Sequence, residues 1–472
     1  MMLRYEDFPS LIPCRLHPAE LRGAIKGHAI DSRILRKGDL FWALRGEKAD
    51  GHAFVEAAFA AGAAVAVVGE KWFREAGGRF PRGAFVVVDD PLQALQAAAR
   101  AHRSRFNIPV IALTGSNGKT STKELLAAAL AEKYNLLKSE GNFNNHIGVP
   151  LTLLNINAQT ELVLTEMGTN HPGEIAALCE IARPTVGLVL NVAPAHLEGF
   201  GDLDRVAREK GSLLTSLPPD GAAFLNLDDA RVRRMPSSAR RRIGFGFQFP
   251  AAGMEGEFAR IIRARRRIGE DAFQIEQTVF KLSWPGIHQQ SNALAAAVVA
   301  HHFSIPWEVS AHRFSELPPI RGRMEVRNIA GVTILDDTYN ANPASTAAAL
   351  ATLNALPVNG HRIVALGDHL ELGKSAARQH RRIAEEVLAG GFDGVFLIGA
   401  QMRSAFDVIR RSGKQAFYFP DGAEIESIAD EIYKALSPTD AILFKASRGM
   451  ALDRVVRRLE QKLTETKPTG RQ

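Results

Sequence analysis

Residues 114–121 have the composition and the setting of a phosphate-binding loop. They read Thr-Gly-Ser-Asn-Gly-Lys-Thr-Ser, follow the apolar run 110–113 and precede a helical pattern over 123–133. Glycines let a backbone approach phosphates closely, and the free N–H groups at the start of a helix attract an anion. With a strand before it and a helix after it, this segment predicts a nucleoside triphosphate site rather than a chance glycine turn.

The spacing in this loop differs from the usual G-x-x-x-x-G-K-[ST] pattern. Counting back from Gly118, the place of the first glycine is held by Leu113, so the loop is a tighter variant. We expect Lys119 to reach the β- and γ-phosphates and the Thr120 hydroxyl to bind Mg²⁺. The nucleotide-binding residues predicted from the loop are Gly115, Ser116, Asn117, Gly118, Lys119, Thr120 and Ser121.

Two further polar residues follow predicted strands at what should be the same edge of a sheet. Glu166 comes two residues after the run 162–164, and His196 follows the run 186–190. The carboxyl ends of parallel strands line the ligand crevice of α/β sheets. Mg²⁺ prefers oxygen ligands and shares them with phosphate, so Glu166 is a candidate metal ligand. For His196 the residues alone leave both a metal-binding and a structural role open.

The elements that must position these residues are short apolar runs that alternate with Ala-rich helical stretches. Such alternation is typical of α/β units with parallel sheets. A length of 472 residues favours about three domains. We predict domains at 1–104, 105–317 and 318–472, with Pro318-Pro319 as a linker and the phosphate loop in the central domain. The predicted strands are 40–44, 64–68, 85–88, 108–113, 162–164, 186–190, 223–225, 332–335, 363–366, 395–398 and 441–444.

Positive charge is concentrated in one stretch of the chain. Lys and Arg number 58 and Asp and Glu 51, for a net charge of +7. Residues 231–267 contain eleven Arg and two acids, so the rest of the chain is close to neutral. Alternation and glycine turns predict an antiparallel β excursion over 231–280 with Arg on a solvated face. An RNA-binding surface is the alternative, although the stretch has few aromatic residues arranged for base stacking.

Cysteine content and hydropathy predict a soluble, cytoplasmic protein. Only Cys14 and Cys179 occur, which excludes a disulfide framework. The longest uncharged apolar run, residues 57–69, is shorter than the about 20 residues that a membrane span needs. The N-terminus has early acidic residues and no apolar core, unlike a signal peptide.

A second glycine-rich segment, residues 367–375, follows another predicted strand. It reads Gly-Asp-His-Leu-Glu-Leu-Gly-Lys-Ser, with five residues between the glycines. Its two acidic side chains would repel phosphate, so we predict that it is not a second nucleotide loop.

Six motifs, in this order, resemble the Mur ligases of peptidoglycan synthesis. They are TGSNGKTSTKE, GNFNNHIGVPLTLL, TEMGTNHPGEI, NVAPAHLEGFGDLDRVAREKG, RGRMEV and DDTYNANPAST. The resemblance covers about residues 25–455 and points to the MurF type, and the tighter phosphate loop is the form that this family has. It implies an N-terminal α/β domain that binds UDP, a central ATP-binding domain with a P-loop on a parallel sheet, and a Rossmann-like C-terminal domain.

The resemblance also implies roles for individual residues. Lys119, His196 and Lys210 match catalytic positions, and Lys210 matches a lysine that becomes carbamylated, which turns a cation into an anion able to hold a second Mg²⁺. The implied metal ligands are Thr120, Glu166, His196 and carbamylated Lys210. Beyond the loop, the implied ATP site contains Asn292, Arg321, Arg323, Asp337, Tyr339 and Asn340. The implied UDP-substrate side contains Ser32, Arg33, Gly46, Asp50, His52, Asn142 and Asn145.

One position departs from the family pattern. The Mur ligases usually read His-Asn-x-x-Asn where this chain has His288, Gln289 and then Asn292. A glutamine keeps the carboxamide donor and acceptor but is one methylene longer. The contact to the nucleotide base that this position implies is therefore open, whereas Asn292 is retained.

The reaction that the resemblance implies is ATP-dependent addition of D-alanyl-D-alanine to UDP-N-acetylmuramoyl-tripeptide through an acyl phosphate. It implies ATP and Mg²⁺ as cofactors and those two substrates as partners, and we expect no nucleic acid, no membrane insertion and a monomer. One alternative is a MurE-type ligase that adds one diamino acid, but the predicted domain 318–472 lacks the sequence Asp-Asn-Pro-Arg. The second alternative is a P-loop NTPase that binds RNA through the Arg-rich stretch.

Overall fold

The computed structural model describes residues 3–20, 22–46, 49–195, 197–250, 256–267 and 269–465. Its strands form three large sheets and one small one. We call each large sheet with its helices a unit: N-terminal, central and C-terminal. The three mixed α/β units confirm the predicted fold class, and every predicted strand lies within two residues of an observed one.

The N-terminal unit contains a five-stranded sheet. Only the pairing of the first two strands, in sheet order, is antiparallel. Across the sheet the strands are Arg15–His17, Phe85–Val88, Val65–Gly69, Leu40–Trp42 and His28–Ala29. Its α-helices are Phe8–Leu11, Val55–Ala60, Glu70–Ala76 and Pro91–Arg103, and its 3-10 helices are Tyr5–Asp7, Gly51–Phe54 and Gly77–Arg79.

The central unit contains a seven-stranded parallel sheet, and one of its inner strands leads into the phosphate loop. That strand, Val110–Thr114, lies between Leu162–Glu166 and Val186–Val189, so the carboxyl ends of all three meet at one edge. Across the sheet the strands are Arg260–Arg263, Arg241–Gly246, Ala222–Asn226, Val186–Val189, Val110–Thr114, Leu162–Glu166 and Leu136–Lys138. The helices are Lys119–Leu130, Gly148–Leu153, Glu174–Ala182, Leu197–Phe200, Leu203–Thr215, Ala230–Arg233, Ile287–His302 and Trp307–Glu316.

The prediction of an antiparallel β excursion over residues 231–280 is wrong for the first part of this stretch. Arg241–Gly246 and Arg260–Arg263 extend the central sheet in parallel. Ile243, Phe245 and Ile262 of these strands are buried in the apolar core of the central unit. Only Arg265–Arg266, Ala272–Ile275 and Thr278–Lys281 form a small antiparallel sheet.

Several of these arginines pack on aromatic rings instead of lying free in solvent. The guanidinium carbons of Arg242, Arg263 and Arg266 lie over the rings of Phe258, Phe249 and Phe247, at 4.7, 4.1 and 3.9 Å from the ring centroids. Cation–π contacts of this kind stabilise the fold by about 0.5–1 kcal/mol each at exposed sites. Part of the charged stretch therefore has a structural role.

The C-terminal unit contains a six-stranded sheet that is parallel except at one edge. Across it the strands are Glu325–Ile329, Val332–Asp337, Ala441–Lys445, Arg362–Gly367, Gly394–Ile398 and Phe417–Phe419. Its α-helices are Pro343–Ala355, Ala376–Gly390, Arg403–Arg411, Ile425–Ala435 and Asp453–Glu465, and its 3-10 helices are Gly373–Ser375 and Arg448–Met450. None of the helices in the described ranges has the length and apolarity that a bilayer span requires.

One apolar core is shared between the N-terminal and central units. It runs from Leu3 and Leu95 to Leu151 and Leu178, because helix Pro91–Arg103 packs on two helices of the central unit. The described apolar clusters of the C-terminal unit are separate and begin at Met324.

Candidate active site

The phosphate loop lies between a buried strand and a helix. Strand Val110–Thr114 is buried along its whole length, and helix Lys119–Leu130 begins directly after Gly118. That start is four residues earlier than predicted, because the end of the loop itself forms the first turn. Gly118 has a φ of +82°, and a Cβ on it would lie 2.1 Å from Asn292 Oδ1. Glycine is thus required both by the turn and by the neighbouring helix.

Residues that follow the adjacent strand hold the loop in shape. Asn191 O accepts a hydrogen bond from Ser116 N (3.0 Å), and Asn191 Oδ1 accepts one from Asn117 N (2.8 Å). Asn191 Nδ2 donates in turn to Asn117 O (3.0 Å), and the Ser116 hydroxyl donates to Ala193 O (3.0 Å). The loop conformation is therefore formed before phosphate binds. The loop motif cannot reveal Asn191, because this residue comes from another strand.

The Thr120 hydroxyl and the Glu166 carboxylate form a buried pair beside the loop. Thr120 Oγ1 donates to Glu166 Oε2 (2.9 Å), and Asn144 Nδ2 donates to Glu166 Oε1 (2.8 Å). From the C-terminal unit, an Arg323 guanidinium N–H donates to Thr120 Oγ1 (2.9 Å). This pair is the point at which side chains of the central and C-terminal units converge.

The loop lysine points back towards the loop. Lys119 Nζ donates to Gly115 O (2.8 Å). Loss of hydration lowers the pKa of Lys119, the Glu166 carboxylate opposes that shift, and the Arg323 guanidinium adds to it. Two cationic groups thus lie beside the loop, where the negative charge of a triphosphate would relieve their repulsion.

The oxygen atoms beside the loop fit Mg²⁺. This ion prefers hard oxygen donors and usually takes one or two protein ligands alongside phosphate and water. Thr120 and Glu166 offer a hydroxyl and a carboxylate 2.9 Å apart. No group of three or more His, Cys, Asp or Glu side chains placed for a metal occurs across the described residues, and His196 lies outside them.

Lys210 is buried on helix Leu203–Thr215 and is anchored through its neighbour. Glu209 accepts hydrogen bonds from Gly173 N and Ile175 N (both 2.7 Å), at the start of another helix. Burial lowers the pKa of Lys210 to about 7, the charge of Lys119 lowers it too, and Glu209 opposes the shift. A lysine with this pKa is partly a neutral amine near neutral pH, which is the form that reacts with carbon dioxide.

The C-terminal unit contributes one wall of the site. The Arg323 guanidinium carbon lies 3.9 Å from the ring centroid of Tyr339. Asp337 accepts from Lys445 Nζ (2.5 Å), which also donates to Asn340 O (3.1 Å). Lys445, at the end of the neighbouring strand, therefore fixes two residues that the sequence motif places in the nucleotide site.

Asn292 and Arg321 are the remaining residues of the predicted ATP site beyond the loop, and Asn342, which was not predicted, joins the C-terminal unit to the phosphate loop. Asn342 Nδ2 donates to Asn117 Oδ1 of the phosphate loop (2.6 Å). Asn292 Nδ2 donates to Gln289 Oε1 (2.9 Å), so the glutamine that departs from the family pattern is bonded to the retained asparagine. Arg321 lines a cavity of about 410 Å³ together with Tyr339.

Three models of the Mur ligase family match the chain in order. They are the family's catalytic domain over residues 24–103, the middle domain over 113–300 and the glutamate ligase domain over 322–448. The UDP-N-acetylmuramoyl-tripeptide--D-alanyl-D-alanine ligase of Synechocystis sp. is 36% identical over 91% of this chain and 90% of its own length. The enzyme of that name from Bacillus subtilis is 32% identical over 94% and 95%. The chain belongs to the Mur ligase family.

Solved structures place this Mur ligase with the MurF type. A crystal structure of MurF from Acinetobacter baumannii has a TM-score of 0.82 and 28% identity, covering 98% of this chain and 99% of that one. MurF from Thermotoga maritima, solved in complex with ADP, has a TM-score of 0.74 and 28% identity over 93% and 98%. The likeness therefore extends through all three units, and neither alternative function is favoured.

In this Mur ligase, the residues of the N-terminal unit that were predicted for the UDP side lie at the carboxyl ends of adjacent strands. Arg33 pairs with Asp31 (2.6 Å) and is otherwise exposed, and Ser32 lies beside it. Gly46 N donates to Ala49 O (2.9 Å) in the turn after the next strand. These residues are placed around one edge of the N-terminal sheet.

His52 and Asp50 have structural contacts at that edge. His52 is 5% exposed, and its Nε2 accepts from Gly69 N (2.9 Å). Its Nδ1 must then carry the proton, which it donates to Asp50 Oδ1 (2.6 Å). The imidazole is thus committed to holding two segments together, and Asp50 remains partly exposed.

The Mur ligase motif with three asparagines divides their roles. Asn145 Oδ1 accepts from Ile147 N (3.1 Å) and Gly148 N (2.9 Å), as the cap of a short helix. Asn142 is exposed. Asn144, which was not predicted from the sequence, is the asparagine whose side chain contacts Glu166. Spacing along a loop does not indicate which of its amides turns inward.

Proposed function

We propose that this protein joins D-alanyl-D-alanine to UDP-N-acetylmuramoyl-tripeptide at the expense of ATP, in the cytoplasm. Three relatives that carry this name align over 90, 95 and 96% of their own length. The observation that carries the proposal is the bond from Arg323 to Thr120. It joins the C-terminal unit to the phosphate loop at the Thr120–Glu166 pair. A site completed by two units suits a reaction that must be closed off from water.

The first step transfers the γ-phosphoryl group of ATP to the terminal carboxylate of the tripeptide. A carboxylate oxygen bonds to the γ-phosphorus while the bond from that phosphorus to the β-γ bridging oxygen breaks, giving an acyl phosphate and ADP. Negative charge spreads over the transferring group, and catalysis consists mainly of positioning and electrostatic stabilisation. Lys119, Arg323 and the N–H groups of the pre-formed loop supply both.

Thr120 and Glu166 would hold Mg²⁺. When bound there, Mg²⁺ neutralises charge on the phosphates and polarises the P–O bonds. Asn144 orients the Glu166 carboxylate through its second oxygen.

Carbamylated Lys210 would add a second anionic ligand. Its neutral amine adds to carbon dioxide, forming an N–C bond and releasing one proton. The product is a carbamate that carries negative charge where the free lysine carries positive charge. The pKa of about 7 for Lys210 makes the neutral amine available at physiological pH.

The second step forms the amide. The neutral amino group of D-alanyl-D-alanine attacks the acyl carbon, the C–O bond to phosphate breaks, and the amine loses its extra proton. Water must be excluded while the acyl phosphate exists, and domain closure is the usual means. Contacts of Arg323 and Asn342 with the phosphate loop hold the C-terminal unit in place over it.

ATP and the UDP-linked peptide would lie on opposite sides of this reaction centre. For the nucleotide we propose the wall formed by Asn292, Arg321, Asp337, Tyr339 and Asn340. For the UDP moiety and peptide we propose the residues Ser32, Arg33, Gly46, Asp50, His52, Asn142 and Asn145.

A coupled phosphate-release assay tests the function. Release is expected only when ATP, UDP-muramoyl-tripeptide and D-alanyl-D-alanine are all present, and Lys119→Ala should abolish it. Turnover with a single diamino acid in place of the dipeptide would support a MurE-type ligase instead. Release stimulated by RNA alone would contradict the ligase assignment.

A further inference from the structure

Lys123 is a fully buried cation on the helix that follows the phosphate loop. Its side chain is 0% exposed. The ammonium donates to Ser139 O (2.7 Å) and Gly141 O (3.2 Å), and Glu124 Oε1 lies 3.3 Å away. A buried charge is very costly unless such partners surround it. The contacts of the Lys123 ammonium therefore fix the positions of two backbone carbonyl groups, those of Ser139 and Gly141.

Those carbonyls begin the segment that reaches Glu166. The Ser139 hydroxyl accepts from Glu166 N (3.3 Å). Five residues after Ser139, Asn144 binds Glu166 with its side chain, and its backbone O accepts from Gly168 N (2.8 Å). Residues 139–144 are thus fixed at one end by Lys123 and at the other by the strand that carries Glu166.

Between these two ends the loop is also held by a backbone hydrogen bond from Phe143 N to Glu140 O (3.0 Å) and by the Phe143 ring, which packs against the shared apolar core. Gly141 has a φ of +49°, and no atom lies within 4 Å of the place where its Cβ would be. Asn142 and Asn145 on the same loop are exposed. The Lys123 ammonium is the charged group that ties the first part of this loop to the helix that follows the phosphate loop.

We propose that Lys123 is a positioning residue, which holds residues 139–148 against the phosphate-loop helix so that their asparagines meet the UDP-linked peptide. The identity of that peptide rests on the proposed function. Lys123 itself contacts neither nucleotide nor peptide. Its effect reaches the reaction through the loop carbonyls and Asn144.

The test compares KM values for the two ligands of the central unit. Lys123→Met keeps an unbranched side chain, one heavy atom shorter, and removes the charge. We expect KM for UDP-muramoyl-tripeptide to rise about tenfold or more, because small misplacements of substrate contacts are costly. KM for ATP should change by less than about twofold. Lys138→Met is the matched control, because Lys138 is 40% exposed and pairs with the same Glu124. It should leave both values unchanged.

A double-mutant cycle separates positioning from a general loss of stability. If Lys123 acts through the loop, Asn144→Ala and Lys123→Met together should raise KM for the UDP substrate by much less than the product of their separate effects. Multiplying effects, or equal changes in both KM values, would overturn the proposal.

Gly141→Ala keeps the proposal testable if Lys123→Met does not fold. The new methyl group meets open space, but the left-handed backbone disfavours alanine and shifts the carbonyl that Lys123 holds. A selective rise of about threefold or more in KM for the UDP substrate is expected, and an unchanged KM would contradict the role of Lys123. Failure of the wild-type protein to use these substrates at all would instead refute the proposed function.

Discussion

The N-terminal and C-terminal units meet the central unit through contacts of opposite character. Helix Pro91–Arg103 buries Leu95 and Ala98 in an apolar core that continues into the central unit. The described contacts of the C-terminal unit with the phosphate loop are polar: Arg323 to Thr120 and Asn342 to Asn117. An apolar core is lost only by unfolding, whereas hydrogen bonds at a surface can be exchanged for water. The first junction therefore suits a fixed frame, and the second a closure that forms and breaks in each turnover.

The largest effect should come from the polar junction. Arg323→Ala removes the guanidinium that contacts Thr120 and lies beside Lys119. We expect kcat to fall about 10³-fold, as when a group that stabilises a transferring phosphoryl is lost. The melting temperature should change little. Steady-state kinetics and thermal denaturation of the same preparation check this, and a large loss of stability would show that the junction also carries the fold.

The apolar junction should respond in the opposite way. Leu95→Ala opens a cavity at a side chain that is 0% exposed. We expect the free energy of unfolding to fall by about 3 kcal/mol, with kcat per folded molecule unchanged. Denaturant titration measures the first quantity and active-site-normalised kinetics the second. A fall in kcat with full stability would contradict the idea of a fixed frame.

Carbamylation of Lys210 tests whether the part of the site in the central unit forms without ligands. Because burial lowers its pKa to about 7, the neutral fraction rises from low to high values between pH 6 and pH 8. Below the pKa the amine is protonated and inert, and above it carbon dioxide can add. At equal dissolved carbon dioxide, ¹³C NMR with the labelled gas should show a carbamate signal at least about tenfold stronger at pH 8 than at pH 6 in the ligand-free protein, because the neutral fraction rises about tenfold and release of the proton favours addition further. A signal that appears only with nucleotide bound would place Lys210 under the control of the closing unit.

The smallest effect should come from Asn342. Asn342→Ala removes a helix cap that receives Ser345 N (2.9 Å) and the bond to Asn117. Caps contribute about 1 kcal/mol to stability. We expect a loss of that size in unfolding free energy and a fall of about fivefold in kcat/KM for ATP. Ser345→Ala removes the other half of the same capping box without touching Asn117 and is the comparison variant. An equal fall in kcat/KM for ATP in both variants would dismiss the bond to Asn117.

The strands that the sequence predicted and those that it missed differ in their place in the sheets. Buried central strands such as Val110–Thr114 and Ala441–Lys445 are continuous apolar runs, which are visible in a sequence. Five strands without a prediction lie at sheet edges, and four of them have no more than three residues, which leaves little pattern to detect. They are Arg15–His17, His28–Ala29, Leu136–Lys138, Glu325–Ile329 and Phe417–Phe419. The Arg-rich strands were detected, but alternation alone does not tell parallel from antiparallel pairing.

The residues of the site also divide into those that could be predicted from the sequence and those that could not. The phosphate loop and Glu166 could be predicted because the loop follows one buried strand and Glu166 ends the neighbouring one. Asn144, Asn191 and Lys445 could not, because each owes its place to a contact with a residue distant in sequence. The functional roles assigned to individual residues, and the domain boundaries at 104 and 317, stay predictions.

The shared core also decides how the protein can be divided for experiments. A fragment that begins after residue 104 would expose the apolar faces of helices Gly148–Leu153 and Glu174–Ala182, and we expect it to aggregate. A fragment that ends near residue 320 leaves every described apolar cluster of the first two units intact. Such a two-unit fragment should be soluble and retain the loop, which makes it a practical target for screening ligands that hold the enzyme open.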